Sequence, residues 1–541
     1  MSPQSASDAQ HTRDAHGAVT GSSDAAGTPR RPVTPTPSPL SRARRWAAVA
    51  VLTASLLVIT MDMTILNIAL PEMAAELHPT SDQQLWIIDI YSLVLAGLLV
   101  SFAAIADRWG RKKMLLLGYT IFGASSLLVL FANSAEAVIT IRGVLGIGGA
   151  MIMPITLSLI RVIFTDPRER ATALSIWAAV SGLGAAVGPL VGGLLLEHFS
   201  WHAAFLINVP LMLVAVVAGI VILPESKVPN PGRWDAIAAV LSLVGMTLVV
   251  WAIKVFGKEA TFASPTALIA FAAGAALLAW FIVRCLRSSS PLLELRLFRN
   301  RAFSAGTIAA LGSTFAMVAA LLLIAQWMQL VDGASPVEAG IRLFPIAIAG
   351  AIASLAAPPL ARLIGARAVL AGGVGLAGLG MLIIGVQPGT LSNLTVLIAL
   401  TLVGAGTGSL AIASAMIMHG SPEEKAGNAG ALEETSYELG AVLGVAILGS
   451  ISALLYRAEF AASGLLSAID PKLAGEAQES LGAAISIAGE LGRPDLAHEA
   501  GVAFTHSLPA TGIAGGIIML AVAALVFFTT PKGTDVSAAS H

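Results

Sequence analysis

The sequence predicts an all-α polytopic membrane protein with fourteen spans, and three observations predict it. The 541 residues are 56% hydrophobic and only 12% charged, with a mean hydropathy of +0.83, which is the composition of a chain that lives in a bilayer. Apolar runs recur that reach about 20 residues, the length a helix needs to cross at ~1.5 Å per residue. Between them, basic residues gather in every second connection, the pattern of cytoplasmic loops.

The same inventory excludes several classes. A net charge of −1 and a pI near 6.8 give no reason to expect nucleic-acid binding. Cys285 is the one cysteine, which rules out an intrachain disulfide and a cysteine metal cluster, and it is read as lying on the membrane face. No phosphate-binding G-x-x-x-x-G-K-[ST] loop occurs, and neither HExxH nor GxSxG is present. No metal and no cofactor is expected, and a membrane enzyme is disfavoured.

Residues 1–45 are rich in Ser, Thr, Pro, Ala and Asp and are expected to form a disordered cytoplasmic tail, because they cannot offset their ordering entropy by burial. Span 1 follows from Trp46 to Leu70. It is too long for a signal-peptide core and is read as retained. Span 2 runs from Leu85 to Ala106 and ends in Asp107-Arg108-Trp109-Gly110-Arg111-Lys112-Lys113, a basic turn. Further spans are expected near 114–133, 137–160, 172–196, 203–223, 236–256, 265–285, 304–328, 340–361, 368–387, 392–418, 429–455 and 507–530. With the N-terminus cytoplasmic, 24 Lys and Arg fall inside and six fall outside or at outer ends, Lys254 among the six. That ratio sets both termini in the cytoplasm of an inner-membrane protein.

The two halves echo one another. Ala106-x-x-x-Gly110-x-Lys112-x-x-Leu115 recurs as Ala361-x-x-x-Gly365-x-Arg367-x-x-Leu370, and Pro167-x-Glu169-Arg170-Ala171 recurs as Pro422-x-Glu424-Lys425-Ala426, both offset by 255 residues. A shared offset argues for a parallel repeat of six spans. The expected organisation is an N-terminal six-helix bundle (46–223), two inserted helices (224–303), a C-terminal six-helix bundle (304–530) and a cytoplasmic tail (531–541). The outer loop 457–506 carries apolar residues at helical spacing, broken by Pro471 and Pro494, and is expected to form either a helical hairpin or a partly ordered connector.

Charges inside spans carry the functional signal, since each is costly in lipid and persists where it meets a partner or a wet cavity. Asp62 lies in span 1, Asp89 in span 2 and Arg142 in span 4. Arg142 is expected either to pair structurally with one of the acids or to join them in a proton relay, as acids alternating between wet and dry surroundings take up and release protons. Span 13 opens with ALEETSYELG. There Glu434 and Glu438 share a helix face, while Glu433 is turned about 100° away, beside Tyr437. Facing a central cavity, these acids would attract cations, with Tyr91, Trp177, Tyr437, Trp327 and Phe315 as candidate aromatic faces. Gly188-Pro189-x-x-Gly192-Gly193 in span 5 permits close helix approach and a bend.

These residues resemble a known family. DRWGRKK at 107–113 is similar to the loop motif of the major facilitator superfamily, and GPLVGG at 188–193 to its span-5 antiporter motif. With MDMTILNIALP, WIIDIYSLVLAG, IRGVLGIGGA, SWHAAFLINVP and GALEETSYELG, the chain resembles the fourteen-span drug:proton antiporters, the quaternary ammonium compound exporters of the QacA and SmvA kind.

The resemblance implies the major facilitator fold and export of lipophilic organic cations, including quaternary ammonium antiseptics and dyes such as ethidium. The proton gradient supplies the energy and alternating access the mechanism. It implies a proton-coupling set of Asp62, Asp89 and Arg142, and a substrate or proton set of Glu433, Glu434, Glu438, Tyr437, Tyr91 and Trp177. The conformational motifs are Asp107, Arg108, Gly110 and Arg111, and Gly188, Pro189, Gly192 and Gly193. The expected partners are small cationic drugs, protons and the lipid bilayer, with the chain a monomer. Two places depart from the family pattern: Ala103 stands where the loop motif begins with Gly, and Gly350 where some relatives carry an acid in span 10. The rival readings are a dedicated exporter of one endogenous metabolite or antibiotic, and a nutrient symporter or non-transporting sensor.

Overall fold

A computed structural model describes residues 40–164, 166–227, 234–259, 263–288, 291–387, 391–422 and 426–532. Most of the expected N-terminal tail, the end of the C-terminal tail, and Glu424 and Lys425 of the second basic turn lie outside the described residues. The chain is built of α1 (Arg42–Leu77), α2 (Ser81–Trp109), α3 (Arg111–Leu128), α4 (Ala135–Ile163), α5 (Pro167–His198), α6 (Ala203–Leu206), α7 (Asn208–Ile222), α8 (Ala236–Glu259) and α9 (Pro265–Arg287). It continues through α10 (Arg301–Leu330), α11 (Pro336–Ile364), α12 (Ala366–Val386), α13 (Asn393–Thr407), α14 (Leu410–His419), α15 (Ala426–Gly444), α16 (Ser450–Ala462), α17 (Pro471–Glu479), α18 (Leu481–Glu490) and α19 (Pro494–Thr529). Among the described residues there is no strand, and thirteen helical stretches are long and apolar enough to cross a membrane. At the place predicted for span 5, α5 adds a 32-residue helix.

Local chemistry explains the 255-residue echo. Thr80 and Gln83 close a capping box at the start of α2, and Ser335 and Glu338 close one at the start of α11, each satisfying two orphan backbone donors. Both helices then run 29 residues. They end at Gly110 (φ +127°) and Gly365 (φ +88°), whose amides donate to the Ala106 and Ala361 carbonyls. Only glycine adopts such backbone without strain, so the spacing of these glycines sets the helix length.

The echo extends to caps far apart in sequence. Arg44, at the start of α1, donates to the Val221 and Ile222 carbonyls at the end of α7. Arg301, at the start of α10, donates to Phe528 and Thr529 at the end of α19. Lys112 reaches the Ile220 carbonyl at 2.7 Å, and Arg367 reaches that of Phe527. Each half thus uses cations to satisfy the carbonyl-rich end of its last helix, where the helix dipole is negative.

Three predicted spans are interrupted. Span 6 breaks at Ile207 between α6 and α7, and span 12 breaks between α13 and α14 at Gly408-Ser409. Span 13 is continuous from α15 into α16 only through a π-helical turn, Val445–Gly449. The outer loop resolves the open alternative in favour of packed helices. Gly482 of α18 lies on Ala74 of α1, Ser486 donates to the Ala75 carbonyl, and the Tyr456 hydroxyl donates to the Ala477 carbonyl at 3.0 Å. Beyond it α19 begins at Pro494, earlier than the expected 507, because proline suits the first helical position. Cys285 is buried, 2% exposed.

The span-5 glycines lie at close helix contacts. α5 lies between α1 and α11. Gly188 meets Thr64 and the Met61 carbonyl of α1. A β-carbon at Gly192 would lie 2.8 Å from Ile65, and one at Gly193 2.6 Å from the Pro336 carbonyl of α11. In return, Gly340 of α11 lies against the Pro189 carbonyl. A second contact between the repeats joins α2 to α15, and α15 packs in turn on α10.

Candidate functional site

The membrane acids collect on α1, α2 and α15. Asp62 of α1 is 1% exposed. Its Oδ2 lies 3.5 Å from Nη1 of Arg142, and its Oδ1 accepts a 2.7 Å hydrogen bond from Nδ2 of Asn208. Arg142 also sits 5.0 Å above the Tyr91 ring and 6.0 Å from that of Phe205. A buried guanidinium thus meets one carboxylate and two aromatic faces, which together compensate its lost hydration. The expected contact of Arg142 with an acid is therefore made, and with Asp62. Asn208 was not anticipated. It follows the chain break at Ile207, which starts α7 inside the bundle and carries the amide to Asp62.

Asp89 does not join this cluster. It lies two residues before Tyr91, so about 200° around α2 from it, and the face that meets Arg142 is not the face Asp89 occupies. Its partner is Lys254 of α8, with Nζ 2.9 Å from Oδ2 and both side chains 1% exposed. Lys254 was placed with the outer basic residues because VVWAIKVFGKE reads as the end of a span, where lysines reach for water. In the structure Lys254 is buried, and its ammonium lies 4.0 Å from the centroid of Trp86. The expected set of Asp62, Asp89 and Arg142 is therefore two separate ion pairs.

On α15 the helical geometry holds as read. The Tyr437 hydroxyl donates to Glu433 at 2.6 Å, one turn away, and Glu433 also hydrogen-bonds Ser414. Glu438 reaches across to α2, where Ser92 hydrogen-bonds it, and it is 2% exposed. Glu434 lies between the two acids, half-buried and within electrostatic reach of both. Tyr91 is the meeting point, fully buried within electrostatic reach of Asp62 from one half and Glu438 from the other. It packs edge-on to Phe122, and its hydroxyl has no hydrogen-bond partner among the described residues. Trp177 of α5 is half-buried and donates to Thr156 of α4 at 3.1 Å. Trp327 and Phe315 are buried in α10.

At the loop motif, Asp107 and Arg111 pair at 2.8 Å within one turn. The Arg111 amide donates to the Ser226 carbonyl at 2.9 Å, and the Lys112 amide to Glu225 at 3.2 Å. The motif is thereby tied to the segment after α7. Among the described residues no group of three or more His, Cys, Asp or Glu is placed to hold a metal ion.

The profile of the Major Facilitator Superfamily matches residues 52–445. The chain is 38% identical over 504 residues to the multidrug efflux pump LfrA of Mycolicibacterium smegmatis, covering 92% of this chain and 98% of that protein. It is 35% identical to the methyl viologen resistance protein SmvA of Salmonella typhimurium, covering 88% and 97%. It is 32% identical to the tetracenomycin C resistance and export protein of Streptomyces glaucescens, covering 77% and 78%. Among solved structures, an inward-facing bacterial homologue of the lysosomal transporter Spinster shares the fold, with TM-score 0.62, 18% identity, and coverage of 90% and 98%. The chain is a membrane transporter and belongs to the major facilitator superfamily, among its QacA/SmvA-like drug-efflux members.

Proposed function

We propose that this protein is a proton-coupled antiporter that exports lipophilic organic cations, including quaternary ammonium antiseptics and dyes such as ethidium, across the inner membrane. The observation that carries the reading is the convergence of buried acids from both repeats, Asp62 and Glu438, on Tyr91, with Glu433 and Glu434 beside them. Carboxylates in a membrane interior with no cation paired to them, as on α15 among the described residues, are favourable sites for protons or for organic cations, and one carboxylate cannot hold both.

In this account the bundles 46–223 and 304–530 rock about the contacts of α2 with α15 and of α5 with α11, while 224–303 rides with them. Protons neutralise Asp89 and the α15 acids as cargo leaves. Both termini are cytoplasmic and one chain suffices. Relatives named for multidrug efflux and for methyl viologen resistance support a broad cationic cargo. A second reading, a dedicated exporter of one metabolite or antibiotic, is favoured by the likeness to the tetracenomycin C exporter.

The test is ethidium movement in everted vesicles energised by an inside-acid pH gradient. Uptake that collapses with a protonophore and is lost in Asp89→Asn at equal protein level is expected. Gradient-independent movement, or full activity in Asp89→Asn, contradicts the reading. Activity confined to one compound of a broad panel favours the dedicated exporter.

A further inference from the structure

The pair formed by Lys254 and Asp89 has the composition of an occupied cation site. A carboxylate at 2.9 Å and an indole face at 4.0 Å enclose an ammonium in a buried place. An anion beside an aromatic face is what recognises organic ammonium ions in general. Asp82, Trp86 and Asp89 fall at i, i+4 and i+7 of α2, so carboxylate, ring and carboxylate form one stripe. The cation is supplied by α8, a helix that has no counterpart in the 255-residue repeat and packs on α2, α9 and α16.

We propose that Trp86 and Asp89 form a second binding site for organic cations, and that Lys254 is its tethered internal occupant. The inference rests on the export reading. An arriving lipophilic cation takes the carboxylate and the ring, and the Lys254 ammonium swings toward Asp82, which already lies within its electrostatic reach. A proton on Asp89 releases the cargo, and once Asp89 gives that proton up the Lys254 ammonium pairs with it again.

One feature adjoins the stripe and fits such an exchange. The π-helical turn Val445–Gly449 packs on both α2 and α8, with Gly449 against Leu85. π turns inside helices commonly mark functional places, where the backbone departs from the regular ladder.

A tethered competitor weakens apparent affinity by the fraction of time it fills the site. The test is equilibrium binding of tetraphenylphosphonium and of ethidium to purified full-length protein. Lys254→Met is expected to bind at least one of them about fivefold or more tighter than wild type. The double variant Lys254→Met with Asp89→Asn, which leaves no buried charge unpaired, is expected to lose that gain. Wild-type affinity in Lys254→Met overturns the proposal while leaving the export reading intact. Absence of cation binding in every variant overturns both. Should Lys254→Met not fold, Trp86→Leu carries the test: it keeps the ion pair, a tenfold weaker binding is expected, and unchanged binding overturns the site.

Discussion

At the scale of single residues, the membrane interior makes every charge answer to a neighbour, and the two ion pairs answer differently. Asp62 is held by Arg142 and Asn208 together, so the carboxylate is satisfied from α4 and α7 at once. Removing the guanidinium strands a buried carboxylate, which costs about 3–5 kcal/mol. Arg142→Met is therefore expected to lower the unfolding temperature of the detergent-solubilised protein sharply. Asp62→Asn with Arg142→Met is expected to recover most of that loss; a double variant no better than the single one contradicts the pairing. Tyr437→Phe removes one hydrogen bond to an acid, worth about 1.5–3 kcal/mol. It is expected to alter the pH dependence of transport with protein level kept, and an unchanged profile places Glu433 off the proton path. The sequence named Asp62, Asp89, Arg142 and the three glutamates because a charge within an apolar run stands out. It hid Lys254, because a lysine four residues from Lys258 looks like the end of a span, and which acid it meets is decided by how α8 lies on α2.

At the scale of helices, the legible features were those encoded by short-range chemistry. The turn glycine Gly110 with its echo Gly365 and the span-5 glycines sit where local rules put them, and the capping boxes at Thr80 and Ser335, though not read from the sequence, follow local rules as well. What escaped were the interruptions in spans 6, 12 and 13, since a helix broken within an apolar stretch keeps the same hydropathy. The π turn leaves no periodic signature at all. Gly110→Ala is a direct test of the loop turn. At φ +127° a side chain costs about 1 kcal/mol or more in backbone strain, and its β-carbon would meet the Glu225 carboxylate at 2.7 Å. Reduced efflux at normal membrane level is expected. Gly365→Ala also places a side chain at positive φ (+88°) but meets nothing within 4 Å, so it is expected to be the milder change. Equal loss in both would show that strain alone, and not the tie to Glu225, governs the turn.

At the scale of the whole molecule, the proposed orientation rests on charge. The basic turns at 107–113 and 362–367 lie at corresponding ends of the repeats, as do the cations that cap α7 and α19. A fluorescent-protein fusion to the C-terminus is expected to glow and an alkaline phosphatase fusion there to be inactive, and the reverse would invert the topology. The central claim is that protons and organic cations compete for the same buried carboxylates between the repeats. It is tested most directly by adding ethidium to purified protein in weakly buffered detergent solution and recording the pH. The account predicts proton release on binding, reduced when Glu434→Gln and Glu438→Gln are combined. Binding of ethidium by wild type with no proton release would contradict it.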